Sequence, residues 1–91
     1  MRVKKIFNYY CDPGHGWVKV PYKILKDLGI EKEISEYSYM LGDNCYLEED
    51  CDATLFKKKY EEKYNFKIDF KINLSDRSSK IRRYRYYEVL Y

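Results

Sequence analysis

Apolar and polar residues alternate without a break from Phe66 to Leu74: Phe66, Ile68, Phe70, Ile72 and Leu74 against Lys67, Asp69, Lys71 and Asn73. A period of two sends successive side chains to opposite faces, so this stretch reads as a strand with one face in the core and one in water. Just before it the period changes. Ala53, Phe56, Tyr60 and Tyr64 recur at helical spacing, while Lys57, Lys58, Glu61 and Glu62 form a wet face. That pattern predicts a helix from about residue 53 to 64. Asp50 or Asp52 is expected to cap it, and the nearby acids suit the positive end of its dipole.

Towards the N-terminus, residues 3–11 are rich in β-branched and aromatic side chains and read as a strand. Asp12-Pro13-Gly14-His15-Gly16 breaks it with a tight loop, and Trp17 to Val20 is extended ahead of a proline. Pro21 suits the first position of a short helix carrying Ile24, Leu25 and Leu28 inward; Gly29 is its left-handed stop, with Ile30 folding back over the last turn. A charged linker, Glu31 to Glu36, leads to two short strands around Gly42-Asp43-Asn44, a hairpin. After the alternating strand, Ser75 to Ser79 is a turn and residues 80–91 return as a basic, aromatic edge strand. The expected fold is a single α+β domain over residues 1–91, in the order β-α-β-β-α-β-β. Its sheet is mostly antiparallel, of about four to five strands, with two helices packed on it.

Composition changes this picture in one respect. Twelve Tyr, four Phe and one Trp in 91 residues are too many aromatic rings for so small a core, so several tyrosines are expected on the surface. Exposed Tyr is what binding surfaces are enriched in; an AT-rich coding genome is the bland explanation for the same bias. The net charge of +3 is too balanced to announce a nucleic-acid binder, but it is segregated. Asp43, Glu48, Glu49, Asp50 and Asp52 fall in one stretch without a base, whereas the last sixteen residues carry +3. Three cysteines at no framework spacing read as reduced thiols. With no secretory h-region and no apolar run of membrane-spanning length, a cytoplasmic protein is expected.

Candidate chemistry is sparse. Cys11, His15, Cys45 and Cys51 form a ligand set that zinc accepts, but the spacings Cys-x3-His and Cys-x5-Cys lack the tight knuckle of a zinc site, and three small core cysteines are the preferred reading. Asp50, Asp52, Thr54 and Glu61 outline a calcium loop, yet Leu55 replaces its turn glycine and three lysines lie inside it. Cysteine–histidine catalysis by His15 with Cys11 or Cys51 needs a convergence that nothing in the sequence marks. No catalytic residue, metal or cofactor is assigned. The segment Lys80 to Tyr87 interleaves four bases with three tyrosines; on a strand, Arg82, Tyr84 and Tyr86 would share one face and could track phosphates and stack bases. A charge-guarded edge strand, or arginines paired with the acidic stretch, explains it equally.

Asp12-Pro-Gly-His-Gly-Trp17, Val20-Pro21, Leu28-Gly-Ile30, Ile34-Ser-x-Tyr-Ser-Tyr39 and Tyr46-Leu-Glu-Glu-Asp-Cys-Asp-Ala53 together resemble a group of short uncharacterised proteins carried by phages, prophages and plasmids. The resemblance covers roughly residues 8–56. It implies context rather than chemistry: small accessory proteins of mobile elements are often non-enzymatic modulators of host machinery, anti-CRISPR proteins among them. Val18 to Ile30, followed by Gly42-Asp43, is also similar to the core of swapped-hairpin transcription regulators, although twelve residues separate Ile30 from Asp43 where those have a short spacing.

The expectation is therefore a non-catalytic binding protein of a mobile element that occupies a host protein or nucleoprotein complex. Glu48, Glu49, Asp50, Arg82, Arg83 and Tyr84 are its candidate contact residues, with His15 and Trp17 in a structured loop. The alternative is a nucleic-acid-binding regulator or antitoxin-like protein using Lys80, Arg82, Arg83, Arg85 and Tyr86.

Overall fold

The computed structural model describes residues 5–90. Strand β1 (Lys5–Cys11) turns back at Asp12 into β2 (Gly16–Pro21), which feeds helix α1 (Tyr22–Leu28). The hairpin of β3 (Tyr39–Leu41) and β4 (Asn44–Glu48) follows, then helix α2 (Asp52–Tyr64) and β5 (Ile68–Leu74). A 3-10 turn, Lys80–Arg83, and the two-residue strand β6 (Arg85–Tyr86) close the chain. Residues 3 and 4 of the first expected strand and residue 91 of the last lie outside the described residues.

Local chemistry sets the ends of these elements. Gly29 takes the left-handed φ of 71° after α1, and Ile30 N–H reaches back to the Leu25 carbonyl at 3.0 Å, burying Ile30 over the last turn. Pro21 sits one position before α1 rather than at its first residue. Leu41 and Asn44 pair across a two-residue turn in which Gly42 alone has positive φ, the glycine-first pattern of a type II′ hairpin. Asn65, at φ 57°, stops α2.

The α+β fold holds, with a mixed sheet of six strands in the order β5-β1-β2-β4-β3-β6. Residues 17–20, expected only as an extended lead-in, belong to β2, a central strand paired on both sides. The larger correction concerns the C-terminal third. Residues 66–74 and 80–91 do not form a hairpin: β5 pairs in parallel with β1, whereas β6 pairs antiparallel with β3 at the opposite edge. The tail crosses the sheet because both faces need cover. Phe7, Val18, Val20, Met40, Cys45, Leu47 and Ile68 point to the side where α1 and α2 supply Leu25, Phe56 and Tyr60. The register places Tyr10, Trp17, Tyr46 and Tyr39 on the other side, where no helix lies. There Ile81 and Tyr84 of the tail complete a second, smaller core. A strand over residues 80–83 would turn half of these side chains away, so the segment coils into a 3-10 turn instead.

The alternating strand keeps its period but not its full burial. Ile68 is buried and Phe70 half-buried, whereas Ile72 and Leu74 are 62% and 83% exposed.

Candidate functional site

Asp12 organises one wall of the site. Its Oδ1 accepts the Gly14 and His15 N–H groups, both at 2.9 Å, the side-chain turn that Asp favours ahead of Pro-Gly. The same carboxylate holds the tail: Ser79 N–H donates to Oδ2 at 2.9 Å, and Arg82 grips both oxygens at 2.6 and 2.8 Å. The Arg82 bonds, with the backbone donors, hold the Asp12 carboxyl far below the usual carboxylate range, and the Arg82 guanidinium is raised in turn. Arg82 also lies over the Trp17 ring, 5.2 Å from its centroid. A Cβ at Gly14 would come within 2.9 Å of its Nη2, so glycine there admits the guanidinium.

Two carboxylates build the facing wall. Asp52, buried in the first turn of α2, accepts the Ser35 N–H at 3.0 Å and the hydroxyls of Ser35 and Ser38, each at 2.6 Å. Ser38 Oγ in turn accepts the Glu48 N–H at 3.0 Å. Neither Asp50 nor Asp52 caps α2, contrary to the expectation from sequence; Glu48 does. Its two oxygens accept the N–H groups of Asp50, Cys51 and Asp52 at 2.9, 2.6 and 3.0 Å. Burial pushes the Glu48 carboxyl up, but the three backbone donors outweigh it and leave the group below its ordinary value.

Between these walls lies a cleft of about 500 Å³ lined by His15, Trp17, Tyr37, Tyr39, Asp50 and Arg82, with Cys51 on its rim. A second cleft, lined by Glu36, Tyr37, Tyr39 and Tyr86, adjoins it through the two shared tyrosines. Tyr39 stacks on Tyr86 at 5.6 Å and meets the Trp17 edge at 6.2 Å. Tyr37 and Tyr86 are 74% and 68% exposed, so the two adjoining clefts make a groove flanked by open aromatic rings, with Trp17 buried beneath. The motif Tyr37-Ser38-Tyr39 carries the signal for it: Ser38, in the bend just before β3, donates its hydroxyl to buried Asp52, while Tyr37 and Tyr39 on either side line the clefts.

Of the predicted contact residues, Glu48, Asp50 and Arg82 converge on this groove although the sequence separates them into acidic and basic segments. Arg82 pairs with Asp12, outside the acidic stretch. Glu49 sits beside them, accepting the Tyr9 hydroxyl at 3.0 Å and lying 3.5 Å from His15 Nδ1. Tyr84 packs half-buried onto Tyr46, with centroids 5.0 Å apart, on the same sheet face where Arg82 covers Trp17 and Tyr86 stacks on Tyr39, although the segment 80–83 is a 3-10 turn and not a strand. Lys80, Arg83 and Arg85 are exposed, Arg85 within 3.7 Å of Glu88.

The cysteines lie in three different environments. Cys45 is buried in the main core, which pushes its thiol up to about 12. Burial, then the Glu49 charge, raises Cys11. Cys51 is exposed at the start of α2. Among the described residues no three His, Cys, Asp or Glu side chains group so as to hold a metal ion, and no helix is long and apolar enough to cross a membrane. No protein-family model matches the chain, and no curated protein or solved structure matches it either.

Proposed function

We propose that this protein is a non-catalytic binding module that takes a segment of a partner protein or nucleoprotein complex into the groove over Trp17, Tyr37, Tyr39 and Tyr86. The continuity of the two clefts through Tyr37 and Tyr39 carries this reading. Rigid amphipathic rings offer large contact area at small entropic cost, which is why they recur as anchors in interfaces. Asp50 and Glu36 on the rim, with Arg82 held in place by Asp12, would set the orientation of the bound segment. Two of the three thiols, Cys11 and Cys45, are pushed up by burial, which disfavours nucleophilic chemistry at them. The resemblance of residues 8–56 to short proteins of phages and plasmids supplies the setting: a modulator or inhibitor of host machinery, of the anti-CRISPR kind, acting in the host cytoplasm.

The test is capture from bacterial lysate by the tagged chain, with and without nuclease, using wild type and the Tyr37→Ala/Tyr86→Ala variant. A protein that survives nuclease and is lost with the double variant supports the groove. Equal capture by both would sink it. A nucleic-acid reading draws on exposed Lys80, Arg83 and Arg85 around Tyr86. It predicts affinity falling steeply with salt, and a flat response eliminates it.

A further inference from the structure

Strand β5 ends the sheet on the side away from β6, and among the described residues its outer edge pairs with no strand. Lys5 N–H donates to the Lys67 carbonyl and Ser75 N–H to the Cys11 carbonyl, which turns the odd-numbered residues of this stretch toward β1. The backbone groups of Ile68, Phe70, Ile72 and Leu74 therefore aim outward, because along a strand they alternate in direction. Glu61 Oε2 closes the Ile68 N–H at 2.8 Å, leaving the Ile68 carbonyl and both groups of Phe70 and Ile72 directed at the open edge. The helix layer covers Ile68 and reaches Phe70, but Ile72 and Leu74 stand clear of it.

We propose that this edge is a homodimer interface, on which a second copy of the chain adds its own β5 antiparallel about a two-fold axis through Phe70. In that register Phe70 meets its own counterpart, Asp69 faces Lys71 of the second copy, and Lys71 faces Asp69. Ile68 faces Ile72, and Phe66 faces Leu74, so the exposed apolar residues of one copy cover those of the other. The outward backbone groups fall into register as well. The two Phe70 residues exchange a pair of hydrogen bonds, and each Ile72 exchanges another with the Ile68 opposite as the Glu61 carboxylate swings off the Ile68 N–H. Moving the axis one residue either way sets Lys71 against Lys71 or Asp69 against Asp69, and like charges directly opposite are destabilising. The charges of this edge thus disfavour the two neighbouring registers, one on either side of the Phe70 axis. The interface is separate from the aromatic groove and does not depend on its role.

Sedimentation of the full chain over a concentration series tests the proposal, with circular dichroism confirming that each variant is folded. Wild type is expected to dimerise, and Lys71→Asp, which sets Asp against Asp69 twice, to weaken the dimer about tenfold. Asp69→Lys/Lys71→Asp exchanges both charges and is expected to restore it. Ile72→Lys, which places a charge opposite Ile68, is expected to leave a monomer. A wild-type monomer at the highest soluble concentration overturns the proposal. So does a dimer indifferent to Lys71→Asp or Ile72→Lys, or a folded charge-exchanged variant that stays monomeric. Should that variant fail to fold, the two single variants decide.

Discussion

Arg82 holds Asp12 through two parallel bonds, Nε to Oδ2 at 2.6 Å and Nη2 to Oδ1 at 2.8 Å, across seventy residues of chain. This fork joins the first loop to the C-terminal tail, and with Trp17 beneath it forms one wall of the groove. Lysine cannot reproduce a planar two-pronged contact. Arg82→Lys is therefore expected to lower the denaturation midpoint and loosen residues 79–84, seen as faster amide exchange at Ile81 and Tyr84.

The same pair has a pH signature. Asp12 is held below its unfolded value, so its contribution is fully present above about pH 4 and lost as the pH falls towards the folded-state value. Asp12→Asn should flatten the acid limb of the stability curve between about pH 4 and 2, since the substituted residue does not titrate. An acid limb identical to wild type would show that other carboxylates dominate it.

Asp52 is the acceptor on which Ser35 and Ser38 depend. Asp52→Ala leaves two hydroxyls and a backbone N–H without it, and is expected to cost about 3 kcal/mol in urea unfolding. Because Ser38 places Tyr37 and Tyr39, partner capture should fall with stability.

Glu48→Ala removes the acceptor for three N–H groups at the start of α2 and is expected to cost about 1 to 2 kcal/mol. Asp50→Ala, whose carboxylate caps nothing, should leave the unfolding midpoint within experimental error. The reverse ranking would return the cap to Asp50.

Thiol labelling separates the cysteines. Native protein at neutral pH is expected to label fastest at Cys51, which is exposed, and at Cys45 only on unfolding, since that thiol is buried and raised to about 12. Mass spectrometry of timed alkylation reads the order.

Much of this molecule is written in short-range pattern. The period of two in β5, the helical spacing of Phe56 and Tyr60, the stop at Gly29 and the turn at Gly42 are local consequences of side-chain direction and backbone freedom, and each lies where the sequence puts it. Pairing partners are not local. β5 looks the same whether it joins its successor or β1, and only the competition for two sheet faces sends the tail across to β3. The acidic stretch likewise announces a helix start, but which acid caps it depends on Ser35 and Ser38 claiming Asp52 and leaving Glu48 free to turn back. The groove follows from that same closure. Its residues come from four separate stretches of chain, so the sequence determined the kinds of side chain available and only tertiary packing, driven by burial of both faces of one sheet, brought Trp17, Tyr39 and Arg82 together.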